Sequence, residues 1–112
     1  MTEDLTFSLM IKTSETESSL INLLTKNLEG AQRVGGYIKY SANVINLERN
    51  SLYDEAKASR HEGDSWLYYP YNLNIFPTGE VTKEGQIDLA NKLQDMLRAA
   101  GASVEVISEI MP

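Results

Sequence analysis

The chain contains no cysteine and a single histidine, His61. The first absence excludes disulfide scaffolds, cysteine-ligated zinc, iron–sulfur clusters and thiol chemistry. The second leaves one imidazole for any acid–base or metal role, in a charged loop where an exposed, solvated histidine is the simpler expectation. No apolar run approaches the roughly 20 residues that a membrane helix needs. The opening stretch MTEDLTFSLMIK has two acids and no basic region ahead of a short alternating run, so it reads as a strand and not as a signal peptide. Glycine-rich phosphate loops and a nucleophile elbow are also missing: Gly35-Gly36 fits neither pattern and reads as a strand start. Basic residues are the minority, with ten against sixteen acids and a net charge of −6. Phosphate backbones repel such a chain, which argues against nucleic-acid binding.

What is present fits one domain over residues 1–112. Apolar residues make up 42% and charged residues 23%, the composition of an ordinary globular protein. Leu5, Phe7, Leu9 and Ile11 alternate and predict a half-buried strand, with Met10 breaking the pattern. Ser14-Glu15-Thr16-Glu17 reads as a capping box. Leu20, Leu24 and Leu28 then give a helical stripe, and Gly30 a stop. Tyr37–Tyr40 and Asn43–Leu47 predict two strands, or one bulged strand, around a bend at Ser41-Ala42. In residues 49–65, Leu52, Tyr53, Ala56 and Lys57 have the spacing of one helical turn, and the rest predicts an exposed loop of the length that often carries function.

The next segment, WLYYPYNLNIFP, holds five of the nine aromatic residues. Read as one strand from Trp66, its parity sends Leu67, Tyr69, Tyr71, Leu73 and Ile75 to the core. Trp66, Tyr68, Asn72 and Asn74 then occupy the other face. Pro70 lacks an amide donor and marks an edge or bulge. Thr82 predicts the cap of a second helix over residues 83–100. Its expected stripe is Ile87, Ala90, Leu93, Leu97 and Ala100, and Gly101 is its stop. A last strand starts near Val104.

The order strand–helix–strands–strand–helix–strand predicts an α+β fold. It matches the ferredoxin-like split β-α-β pattern, with an antiparallel sheet of four to five strands and two helices on one face. The other face is then open unless a partner covers it.

Two carboxylate clusters, Asp54-Glu55 and Glu62-Gly63-Asp64, are the available acid–base groups. They sit in a polar loop that leaves their acidity ordinary. No catalytic, metal or cofactor site is expected. Tyrosine and tryptophan favour protein interfaces, having a large apolar body and a polar tip. Aromatic groups beside acids suit a basic protein partner. The candidate partner-binding set is therefore Tyr53, Asp54, Glu55, Glu62, Asp64, Trp66 and Tyr68.

The segments GGYIKYSANVINLERNSLYDEA, WLYYPYNLNIFP and GASVEVISEIM, with the acidic loop between the first two, resemble small immunity proteins of bacterial toxin systems. These include those of contact-dependent growth inhibition. The resemblance covers roughly residues 34–112, and it rests on size, charge and element order. It implies a cytoplasmic, non-enzymatic protein that binds a cognate toxin domain, often a nuclease, and blocks its active site or its access to a target. No functional residue carries over by motif. Two alternatives have other requirements. A ferredoxin-like regulatory domain needs a defined small-molecule pocket, and would form a homodimer through the open sheet or an edge. An isomerase or monooxygenase would use Asn72, Asn74 and His61 on the open face.

Overall fold

The alternation at the start of the chain becomes strand β1 (Phe7–Lys12) in the computed structural model, which describes residues 5–60 and 63–107. Phe7, Leu9 and Ile11 are buried, as their parity requires. Helix α1 (Glu17–Asn27) follows. Its cap is Thr16 and not Ser14: the Thr16 hydroxyl accepts from the Ser19 amide at 3.1 Å. Glu17 does not reach back as a capping box requires, because its carboxylate accepts from Arg49 Nε at 2.6 Å. Leu20, Leu24 and Leu28 are buried, and the chain reverses at Gly30, whose φ of +83° suits glycine.

Three strands come next: β2 (Gln32–Val34), β3 (Tyr37–Tyr40) and β4 (Asn43–Arg49). The expected bend at Ser41-Ala42 joins β3 to β4. Both residues are left-handed, with φ of 46° and 60°. That is the twist a two-residue hairpin needs, reached without glycine. β2 was not expected. It is three exposed residues long, too short to show a period. It raises the sheet to six strands from the four to five expected.

A short helix α2 (Glu55–Ala58) and a 3₁₀ turn (Ser65–Tyr68) occupy the long connection to β5 (Tyr71–Pro77). The strand expected from Trp66 thus begins five residues later. Helix α3 (Lys83–Ala99) and strand β6 (Ser103–Ile107) complete the fold. Thr82 caps α3 by accepting from the Gly85 amide at 2.9 Å, and Gly101 ends it with φ of +90°.

The strand order is β2-β3-β4-β5-β1-β6, antiparallel throughout. Buried leucines of α1 and α3 share one core with the inward side chains of the sheet, such as Leu9, Ile45, Leu73 and Val104. Both long helices therefore cover one face. Burying each such side chain stabilises the fold by about 1.5–3 kcal/mol relative to exposure.

The buried side of α3 is rotated from the expected stripe. Gln86 and Leu89 are buried, Ile87 is half-buried, and Ala100 is exposed. The reason is a polar pair. Gln86 Nε2 donates to Asn43 Oδ1 (3.0 Å), and Asn43 Nδ2 donates to Gln86 Oε1 (3.1 Å). Gln86 Nε2 also donates to the Leu5 carbonyl (3.1 Å), and Asn43 Nδ2 to that of Ser41 (3.0 Å). Both side chains are 2% exposed. A buried amide pair in this reciprocal form satisfies its polar atoms and ties α3 to the β3–β4 turn.

Candidate functional site

The long β4–β5 connection is organised by Asn50. Its side-chain amide donates to the carbonyls of Leu67 and Tyr69, each at 2.8 Å. Its side-chain oxygen accepts from the Leu52 amide at 3.0 Å, an Asx-turn. The Asn50 amide donates to the Pro70 carbonyl at 2.8 Å, and the Asp54 amide to that of Tyr68 at 3.2 Å. The two ends of the loop are thereby held together. Asn50 captures carbonyls that an extended strand would offer to a ladder, so residues 65–69 turn instead of pairing.

This corrects the placement of the aromatic residues. Trp66 and Tyr68 do not look out from the sheet; they lie half-buried in the 3₁₀ turn. Leu67 and Tyr69, expected in the core, are half-buried as well. Tyr71, Leu73 and Ile75 keep the expected inward positions. The 3₁₀ turn packs on β1, and Lys12 Nζ donates to Ser59 Oγ at 3.1 Å. The connection thus folds over one end of the sheet face opposite the long helices. Met10, on that face, is only 8% exposed for this reason.

The acids of the loop have local partners. Asp54 is half-buried and caps α2, accepting from the Lys57 amide at 3.1 Å. Glu55 accepts from the Tyr53 hydroxyl at 2.5 Å and from Ser59 Oγ at 3.4 Å. That hydrogen bond to a carboxylate raises the pKa of the Tyr53 phenol. Likewise, the hydrogen bond to Glu17 raises that of the Arg49 guanidinium. Asp64 is exposed just before the 3₁₀ turn. Lys57 lies 4.9 Å from the centre of the Tyr68 ring, a cation–π contact. Glu62 and His61 lie outside the described residues. Among the described residues of the loop, the acids Asp54, Glu55 and Asp64 are interspersed with the bases Lys57 and Arg60.

The most exposed apolar pair in the connection is Leu52 and Tyr53, at 60% and 47%. The sequence reads Leu52 only as part of a helical turn with Tyr53, Ala56 and Lys57; the turn that forms, α2, starts at Glu55 and leaves Leu52 outside it. Two shallow grooves of about 410 and 460 Å³ meet at Tyr53 and Pro70, both also touching Thr13 and Ser14. One runs toward Lys12, Glu55 and Ser103, the other toward Glu15, Arg49 and Tyr71. A third cleft of about 410 Å³ lies beside α3, near the Asn43–Gln86 pair. No group of three histidine or carboxylate side chains among the described residues is placed to hold a metal ion. None of the described helices is long and apolar enough to cross a membrane.

The uncovered sheet face has a polar centre. Ser8 Oγ donates to Asn74 Oδ1 at 2.7 Å, and Asn46 Nδ2 to Glu48 Oε1 at 2.8 Å. Around it Val34, Tyr37, Phe76 and Ile107 are 36–44% exposed. No family model, curated protein or solved structure gives a significant match to this chain.

Proposed function

We propose that the chain is a protein-binding module of the toxin-neutralising, immunity type, acting by occlusion and not by catalysis. The observation that carries this reading is the Leu52–Tyr53 tip. Two neighbouring side chains, one aliphatic and one aromatic, stand in solvent on a loop held at its base by Asn50. Tyr53 is oriented by Glu55, so its ring enters a complex with little loss of rotamer freedom. A basic toxin domain, of nuclease type, would be drawn in by the net charge of −6. It would then bury the tip, with Glu55 and Asp64 at the rim. The binding set thus moves from Trp66 and Tyr68, which are half-buried in the turn, to Leu52 and Tyr53. The site of action on this reading is the cytoplasm.

The fold reading behind it is a ferredoxin-like split β-α-β core. Its support is the antiparallel order β4-β5-β1-β6, with α1 following β1 and α3 following β5. The β2-β3 hairpin would be an extension at the β4 edge. A small-molecule regulatory role has weaker support, since the Asn43 and Gln86 amides beside the α3 cleft are already paired.

Co-purification and calorimetry with the toxin domain encoded beside this gene test the proposal. Tyr53→Ala should weaken the complex by about 2 kcal/mol, roughly thirtyfold. Glu55→Lys should slow association, most at low salt. Full affinity in both variants would move the contact away from the loop. Absence of any complex, with no protection of growth, would reject the function.

A further inference from the structure

The uncovered sheet face is charge-balanced in a chain that is not. Register places Lys39, Glu48 and Glu105 on its open part and Lys12 at the end beside the α2 connection. Two bases meet two acids, so the six-charge acidic excess belongs to residues outside these rows. Two copies of the chain repel one another through most surfaces, and this face is where the repulsion is absent. A basic partner gains no comparable attraction here. The central side chains, Asn46, Asn74 and Ser8, form one row across neighbouring strands that ends at Ile107. Each amide carries both donors and acceptors, so the row can hydrogen-bond to a second copy of itself.

We propose that two copies of the chain dock face to face through this surface, about a two-fold axis running along the Asn46–Asn74–Ser8 row. The charges select that axis. Lys39, Val44 and Phe76 form the row on one side of the centre, and Glu48 and Asn72 the open part of the row on the other, which continues to Met10 beneath the α2 connection. Rotation about the central row lays the Lys39 row of one copy on the Glu48 row of the other, twice by symmetry. The α2 connection selects the same axis. It rises over the Met10–Lys12 end, so this rotation carries it past the opposite end of the partner. An axis along the strands would bring the two connections into collision.

Six strands at about 4.8 Å spacing span about 24 Å, and the roughly 15 Å of strand length left open by the α2 connection gives about 350 Å² per copy. That total of about 700 Å² lies below the standard specific interface, so the dimer is a weak association that depends on concentration.

Sedimentation velocity over a concentration series tests this independently of toxin binding. Lys39→Glu and Glu48→Lys are both at exposed positions, and each should weaken the dimer roughly tenfold through two reversed rim pairs. The double variant Lys39→Glu/Glu48→Lys should restore most of the wild-type constant. Phe76→Ser should weaken it without rescue by either charge change. A wild-type chain that stays monomeric to about 1 mM would overturn the proposal. So would a dimer whose constant ignores both single reversals, or a double variant as weak as the singles.

Discussion

Replacing Gln86 by methionine keeps the shape of the side chain and removes its amide. Asn43 Oδ1 then loses its donor at 3.0 Å in a site where the residue is 2% exposed. A buried acceptor without a partner costs about 1–3 kcal/mol. The Leu5 carbonyl also loses its side-chain donor, but Leu5 is half-buried and water can replace it. A net loss of about 2 kcal/mol is expected, or about 8 °C in Tm for a chain of this length. Asn43→Leu strands the Gln86 carbonyl in the same way and should cost about as much. With both amides gone, neither leaves an orphan. The double variant Asn43→Leu/Gln86→Met should therefore lose only about 1 kcal/mol, giving a coupling energy near 3 kcal/mol. Urea unfolding followed by circular dichroism, with equal m-values checked across the four proteins, measures the cycle. Additivity within about 0.5 kcal/mol would refute the reasoning, because it would mean that each amide is satisfied without the other.

Two further outcomes follow from local geometry. Ala42 has φ of 60°, so Ala42→Gly should stabilise the fold by about 1 kcal/mol and raise Tm by about 4 °C; an unchanged or lower Tm would contradict the strain assigned to the turn. The Tyr53 phenol, held neutral by donating to Glu55, should ionise above the ordinary phenol range. The hydrogen bond is then fully present at neutral pH and lost as pH rises through the raised value. Ultraviolet titration should show a late-titrating component that disappears in Tyr53→Phe and moves to lower pH in Glu55→Gln.

Elements with a strong period or a cap were legible in the sequence. The β1 alternation, the Thr82 cap, the Gly101 stop and the Ser41-Ala42 bend all stand where local physics put them. What local physics could not show was pairing across long stretches of chain. Gln86 lies outside the expected stripe of Ile87, Ala90, Leu93, Leu97 and Ala100, and it is held inward by Asn43, 43 positions away. Asn50 looked like a loop residue, yet its amide decides where β5 begins by holding Leu67 and Tyr69. The candidate site suffered most from this. The inward parity of Leu67, Tyr69, Tyr71, Leu73 and Ile75 predicted one strand, but parity carries no information about which carbonyls a distant side chain will claim. Tyr53 and Glu55 remain in the site as exposed residues. Trp66 and Tyr68 were misplaced, and Leu52 suggested only a helical turn and not an exposed contact.

The position of β1 between β5 and β6 also sets an order on synthesis. Phe7 pairs with Ile75, and Leu9 with both Leu73 and Val106. β1 therefore has one neighbour about 65 residues later and the other about 95 residues later. The β2-β3-β4 hairpins close over short loops and can form as soon as they emerge from the ribosome. β1 cannot. Its apolar side chains stay without sheet partners until β5 has been made, and its second edge stays bare until nearly the whole described chain is out. Non-local pairing of this kind slows folding and leaves the nascent chain dependent on protection from aggregation. Met10 and Lys12, shielded by the α2 connection in the finished molecule, mark the end of β1 that waits for both.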